Sequence, residues 1–146
     1  MENHWHSLLE TPEYQWEYRH KGATDRELEM LESALGRPLP SDYRAFLKAS
    51  NGGGLSRGDI WRIRLWDALN IPGWSRGFGF VPEQIAGAVA FGDDFGEEAL
   101  VFDMRPKHPD GQYPIVRVNY YELEWAAALP LADDFSSLLL RNDPLY

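Results

Sequence analysis

The chain has 146 residues, a length that suits one domain whose core needs no disulfide or metal to support it. It contains no cysteine, which excludes zinc–thiolate sites and fits a reducing cytoplasm. The formal net charge of −9 comes from 14 basic and 23 acidic residues, and it opposes binding to a nucleic-acid backbone. Such acidity either keeps a protein soluble or complements a basic protein partner.

Targeting and membrane signals are missing from the printed sequence. No basic segment followed by an apolar stretch opens the chain, and no run of about 18 apolar residues occurs. We therefore expect a cytoplasmic protein that does not contact a membrane. No internal repeat or linker is visible, so residues 1–146 are expected to form a single domain.

The N-terminal 23 residues are rich in aromatic side chains. Leu8 and Leu9 lie near Trp5, which predicts a short first helix that packs on the body of the domain.

Residues 24–54 predict two helices joined by a short turn. Thr24 and Glu27 have the spacing of a capping box, and Gly36 can adopt the left-handed conformation that ends a helix. One apolar stripe runs between them, formed by Leu28, Leu31, Ala34 and Leu35.

The second helix of this pair follows a stiff connection that contains Pro38 and Pro40. Ser41 is expected to cap this helix at its start. Asn51 and the glycines at 52–54 are expected to form its exit, because both residue types tolerate positive φ.

Strands are predicted in the middle of the chain. The segment from Trp61 to Leu65 alternates apolar residues with arginines, which is the period of a half-buried strand. Residues 70–80 carry Pro72 and three glycines, and we expect a loop there. Three further elements are predicted: a hairpin with strands at 87–91 and 99–104, a strand at 113–120, and a closing helix within 132–142.

The order of these elements favours an α+β fold. N-terminal helices and a C-terminal helix are expected to pack on a largely antiparallel central sheet.

Four segments, taken in order, resemble one known family. They are LGRPLPSDYRAFL at 35–47 followed by NGG at 51–53, AFGDDFGEEALVFDMR at 90–105, the strand at 113–120, and ADDFSSLLLRN at 132–142. Together they are similar to the SUKH superfamily, which includes the Smi/Knr-type yeast cell-wall regulator and many bacterial immunity proteins. The resemblance implies a SUKH-like fold and a protein-binding domain in which variable loops and strand faces recognise the partner.

Two short motifs resemble functional signatures, one for RNA binding and one for hydrolysis, but the residues around them do not fit either function. Residues 76–81 match the start of an RNA-binding signature, but Pro82 interrupts the strand and Glu83 stands where an aromatic residue is expected. Phe78 and Phe80 are instead expected in the core. Residues 73–77 match the G-x-S-x-G pattern of hydrolases, but no strand–turn–helix context is predicted around the serine.

The densest group of carboxylates lies in the turn of the predicted central hairpin. It is either a solvated turn or a contact patch for a basic partner. The acids do not follow the order of an EF-hand calcium loop, and no histidine or lysine lies beside them in the sequence. Large aromatic residues in apparent loops are alternative contact anchors, unless they are buried. The expected contact residues are Asp93, Asp94, Phe95, Glu97 and Glu98, with Trp74 and Phe78 as further candidates.

The family resemblance makes an immunity protein the leading expectation, one that masks the active surface of a basic toxin domain. A regulatory scaffold without a toxin is the first alternative, and an enzyme acting through the hairpin carboxylates is the second. We assign no catalytic residue, no cofactor and no metal ligand. A weak metal site at His4 and His6 is a minor possibility near the terminus.

Overall fold

The computed structural model describes residues 5–105 and 111–145, with the side chains of residues 6 and 7 excepted. Within these ranges, seven strands form one antiparallel sheet in which each strand pairs with the next along the chain. The strands are β1 (Tyr14–Arg19), β2 (Gly53–Arg57), β3 (Trp61–Leu65), β4 (Ala88–Asp93), β5 (Glu98–Asp103), β6 (Ile115–Asn119) and β7 (Leu129–Ala132). The helices are α1 (Trp5–Leu8), α2 (Asp25–Leu35), α3 (Ser41–Ala49), α4 (Ile71–Gly77) and α5 (Phe135–Leu139).

The predicted α+β class is therefore confirmed. The short first helix, the central hairpin, the strand that follows it and the closing helix are also confirmed. No helix in the described ranges combines the length and the apolar character that crossing a bilayer requires.

Helix α2 begins and ends as the sequence predicts. The Thr24 hydroxyl accepts from the Glu27 amide at 3.1 Å, and the Glu27 carboxylate accepts from the Thr24 amide at 2.9 Å. Gly36 ends the helix at φ 73°. The capping box and the glycine satisfy backbone groups that the helix itself cannot pair.

The predicted cap of α3 at Ser41 is wrong. The helix already includes Ser41, and Pro40 occupies the capping position without a side-chain hydrogen bond. Asp42 is the polar residue that matters here, because its carboxylate accepts from the Tyr43 amide at 2.7 Å and from the Ser136 amide at 2.7 Å. The bond from Tyr43 lies within α3, and the bond from Ser136 links the start of α3 to α5.

The glycines at 52–54 do more than end a helix. Helix α3 ends at Ala49, but Gly53 and Gly54 already belong to β2, so the prediction of a helix exit is wrong for these two glycines. Gly52 has φ 83°, and a Cβ placed on it would lie 2.5 Å from the Leu65 carbonyl oxygen. The close backbone approach therefore requires glycine at this position.

The prediction of a loop over 70–80 is also wrong, because α4 occupies most of that segment. Pro72 lies in the first turn of α4, where proline costs no helical hydrogen bond. Strand β1 was not predicted from the aromatic N-terminal segment.

The core is built around the ring of Tyr43 on α3. This ring lies 5.3 Å from Phe91, 5.1 Å from Phe102 and 4.9 Å from Phe135, measured between ring centroids. The four residues come from α3, β4, β5 and α5, so their contacts hold helices and sheet together. Trp5 of α1 joins this core through edge contacts with Phe46 and Phe135.

The sheet is most weakly paired between β3 and β4. Two register pairs connect these strands in the described structure, Arg64 with Asp93 and Leu65 with Gly92. The Trp66 amide adds a bond to the Phe91 carbonyl at 3.0 Å. Side chains at this junction therefore matter for the continuity of the sheet.

Replacing Gly52 with alanine should destabilise the fold. The change places a Cβ against the Leu65 carbonyl and forces a left-handed alanine, so we expect a loss of at least about 2 kcal/mol in the free energy of unfolding. Gly73→Ala is the matched control, because Gly73 lies in α4 with open space around its Cα. Urea unfolding should show the control within about 1 kcal/mol of the parent protein; equal losses in both variants would contradict the steric account.

Candidate functional site

The turn between β4 and β5 is held in shape by two aspartates. The Asp93 carboxylate accepts from the Phe95 amide at 2.9 Å, and the Asp94 carboxylate accepts from the Gly96 amide at 2.8 Å. Phe95 has φ 65°, an uncommon conformation for a bulky residue. The two aspartates hold the backbone in this conformation.

Asp93 is an internal residue, with 2% of its surface exposed. Its carboxylate accepts from the Arg64 Nε at 3.0 Å and from the Trp66 Nε1 at 2.9 Å, besides the Phe95 amide. A buried carboxylate needs such partners because it has lost its hydration. The prediction of a solvated turn is therefore wrong for Asp93, whose part in any contact is to support its neighbours.

The hairpin carboxylates do not form one patch. Asp93 pairs in register with Ala99, and alternation along β5 places Glu98 on the opposite face of the sheet. Glu98 forms an ion pair there with Arg117. Glu97 is exposed and Asp94 is partly exposed, so these two are the acids of the turn that solvent reaches most directly.

Phe95 lies beneath two arginines of β3. The Arg62 guanidinium carbon is 3.8 Å from the centroid of the Phe95 ring, and that of Arg64 is 5.2 Å away. Glu17 of β1 pairs with the Arg62 guanidinium, and this hydrogen bond lowers the pKa of the Glu17 carboxyl. Both arginines are therefore held over the ring by carboxylates, Glu17 for one and Asp93 for the other.

Gly54 leaves room for two of these rings. A Cβ on Gly54 would lie 2.9 Å from the Tyr18 ring and 3.3 Å from the Phe95 ring. Tyr18 and Phe95 therefore converge over β2, and Tyr18 extends the same surface onto β1.

A second group of rings adjoins Asp93. Trp66, which donates to Asp93, contacts Trp74 and Phe78 with ring centroids 5.7 Å away in each case. Phe78 also stacks on Tyr120 at 4.7 Å. Trp74 and Phe78 remain 44% and 46% exposed, so the predicted burial of Phe78 is wrong, whereas Phe80 is buried as predicted.

Tyr120 lies under this second group and is partly buried. Burial is the main cause that raises the pKa of its hydroxyl well above the ordinary value, and the charge of Asp93 adds to the effect.

We call these two adjoining groups the aromatic–arginine surface. Its exposed or partly exposed members are Tyr18, Arg62, Arg64, Trp74, Phe78 and Phe95, and Trp66, Asp93 and Tyr120 lie beneath them. Of the residues predicted to make contacts, Phe95, Trp74 and Phe78 belong to this surface, Asp93 supports it, and Asp94 and Glu97 border it. Glu98 lies on the other face of the sheet.

The sequence prediction missed several residues of this surface. The outward direction of Arg62 and Arg64 follows from their alternation with buried residues in β3. Nothing in the local sequence connects them with Tyr18, Trp66 or Tyr120, which come from other segments.

The geometry does not assemble a reaction centre from the acidic turn. Within the described residues, no three histidine or acidic side chains are grouped so that they could hold a metal ion. Ser75 of the G-x-S-x-G match is buried in α4, and its hydroxyl accepts from the Ala90 amide at 3.3 Å. An open cleft of about 600 Å³ is lined elsewhere, by residues that include Asp103, Trp125 and Arg141. His4 and the side chain of His6 lie outside the described part of the chain.

Replacing Asp93 with asparagine should destabilise the fold. An amide cannot accept from Arg64, Trp66 and the Phe95 backbone as the carboxylate does, and Arg64 loses its counter-charge. We expect a loss of about 1 to 3 kcal/mol in urea unfolding, where the half-exposed Arg64 limits the loss. Glu97→Gln removes one charge from the exposed part of the same turn and should change stability by less than about 0.5 kcal/mol. Similar losses in the two variants would show that Asp93 has no special structural part.

Comparison with known proteins identifies the family. No curated protein matches the chain. The family model described as the SMI1 / KNR4 family (SUKH-1) matches residues 22–141, a range that runs from the start of the helical pair to the end of α5. Strands β2 to β7, the helical pair and the closing helix described above fall within this range, and the chain belongs to the SMI1/KNR4 family (SUKH-1).

Proposed function

We propose that this chain is a non-catalytic, cytoplasmic protein-binding module that serves as an immunity protein. It neutralises a bacterial toxin by binding the toxin domain and covering its active surface. Membership of the SUKH family supports this proposal, because immunity proteins are known in that family. The single observation that carries it is the exposure of Trp74 and Phe78, whose rings rest on Trp66, the residue that donates to the buried Asp93.

The composition of the aromatic–arginine surface is that of a protein interface. Tryptophan, tyrosine and arginine dominate the binding energy of protein–protein complexes, above all in patches whose side chains are already packed. A contiguous exposed group of large apolar side chains marks an interaction site on a folded domain, whereas single exposed apolar side chains are common.

Charge favours a basic partner. The chain carries a net charge of −9, and Glu97 and Asp94 place acidic groups at the border of the surface. Opposite charges speed the encounter of two proteins and orient them, and many nucleic-acid-active toxin domains are basic because their substrates are acidic.

A regulatory scaffold of the Smi/Knr type, acting without a toxin, is the alternative. The family match covers both kinds of protein, so the fold does not separate them. The genes beside this one do separate them: a large secreted toxin encoded next to it supports immunity, and an isolated gene supports a scaffold.

Co-expression tests the immunity function directly. The toxin domain encoded next to this gene should stop growth when it is expressed alone, and co-expression of this chain should restore growth. A catalytically inactive toxin domain serves as the control for expression burden. If none of the neighbouring toxin domains is neutralised, the immunity proposal is wrong.

Reversing the charge of Glu97 should slow binding. We expect Glu97→Lys to reduce the association rate with the basic toxin domain about 2- to 10-fold at low salt, and to weaken the dependence of that rate on ionic strength. Glu29→Lys is the matched control, because Glu29 is also exposed but lies on α2, beside Arg26 and Met30 rather than beside members of the aromatic–arginine surface. Stopped-flow or surface-plasmon-resonance measurements across a salt series provide the rates. If Glu97→Lys and Glu29→Lys slow association equally, the net charge of the protein rather than the β4–β5 turn accelerates the encounter.

A further inference from the structure

We infer that the aromatic–arginine surface is the contact site for the partner, and that it takes a basic protein segment that presents an apolar side chain. This inference rests on the proposed function and goes further, because it names the face and the chemistry of what binds there. The acidic turn then forms the border of the site rather than its centre.

Trp74 and Phe78 are anchors whose rings are already positioned. Phe78 stacks on both Tyr120 and Trp66, and Trp74 meets Trp66 edge to face. Rings held in this way lose little conformational freedom when a partner covers their exposed halves. The two residues are four positions apart at the end of α4, so they lie on the same side of that segment.

Phe95 provides the third anchor, on the other side of Asp93. Its left-handed backbone is unfavourable for a bulky side chain, and glycine or asparagine would suit that conformation better. The turn nevertheless holds Phe95 there through Asp93 and Asp94, with its ring under Arg62 and Arg64. Strained backbone of this kind persists where the surrounding structure fixes it, and it clusters at functional sites.

The charges at this face favour a cationic partner. Arg62 and Arg64 are both paired, with Glu17 and Asp93 respectively. Asp67 follows Trp66 and Asp94 precedes Phe95 in the chain, and the Glu97 carbonyl accepts from the Tyr120 amide at 3.0 Å. Two arginines therefore meet five carboxylates. Arg76 lies between Trp74 and Phe78 in the chain but lines a different cleft, beside Leu35 and Met104.

The same residues oppose a single-stranded RNA ligand. Stacking on bases would need successive exposed rings and cations for the phosphates. Phe78 is exposed, but Phe80 is buried, and the arginines of the surface already hold carboxylates. The resemblance of residues 76–81 to an RNA-binding signature therefore does not extend to its geometry.

Alanine substitutions at the anchors test the inference. Trp74→Ala, Phe78→Ala and Phe95→Ala should each weaken binding to the toxin domain encoded next to the gene by at least about 10-fold, as measured by calorimetry. Met30→Ala and Leu140→Ala are matched controls, because these apolar side chains are 52% and 49% exposed on other elements, and they should change the affinity less than about 2-fold. Thermal unfolding of each variant confirms that the fold is intact; if Phe95→Ala unfolds, Phe95→Leu takes its place.

The outcomes separate this inference from the proposed function. If the parent protein binds the toxin domain and all three anchor variants bind it equally well, the inferred contact site is wrong, whereas the proposed immunity function is unaffected. If no neighbouring toxin domain binds, the proposed function fails, and a random peptide display library then provides the probe for the surface. Enrichment of peptides with lysine or arginine around an apolar residue, bound by the parent protein but not by Phe78→Ala, would support the site. Enrichment of acidic peptides, no enrichment, or tight binding of polyuridine RNA that depends on Phe78 would each overturn it.

Discussion

The need to satisfy one buried carboxylate organises the centre of this molecule. β3 and β4 meet at two register pairs in the described sheet, and Asp93 belongs to one of them. Its carboxylate accepts from Arg64 and Trp66 at the end of β3 and from the amide of Phe95 in the following turn. Side-chain bonds thus add to a short backbone ladder where the sheet would otherwise be easiest to separate. An internal carboxylate without these partners would be unfavourable, so the arrangement is stable only as a whole.

The same carboxylate determines what the surface presents. Arg64 is turned over the Phe95 ring, and Trp66 forms the base on which Trp74 and Phe78 rest. The rings that remain exposed are therefore supported from below by groups whose positions the core has already fixed. Side chains that are already held in place lose little entropy on binding, and this is the physical ground for proposing the surface as a contact site. The acids of the turn have different roles. Asp93 and Asp94 shape the backbone, Glu98 pairs with Arg117 on the opposite face of the sheet, and Glu97 is exposed.

Local patterns in the sequence predicted the local structure well. The capping box at Thr24, the stop at Gly36 and the central hairpin each depend on residues close together in the chain, and each is confirmed. β2 escaped prediction because Gly53 and Gly54 have no side chains to show a period of two, and α4 because Pro72 is harmless in a first turn. The family resemblance was confirmed for most of the chain. The aromatic–arginine surface could not be predicted, since Tyr18, Arg62, Trp74 and Phe95 meet only after the strands have paired.

The edge position of β1 has a consequence for how such a surface can diversify. β1 lies before the residues that match the family model, and its register pairs in the described sheet are with β2 alone. It nevertheless supplies Tyr18 to the surface and Glu17 to the pairing of Arg62. Mutations at Glu17 and Tyr18 change the charge and shape presented beside Phe95, whereas Tyr14 of the same strand is buried and its hydroxyl donates to the Leu139 carbonyl at 2.8 Å. The outward side chains of β1 can therefore vary at the margin of the sheet while the hydrophobic interior, which includes Tyr14 of the same strand, stays under constraint.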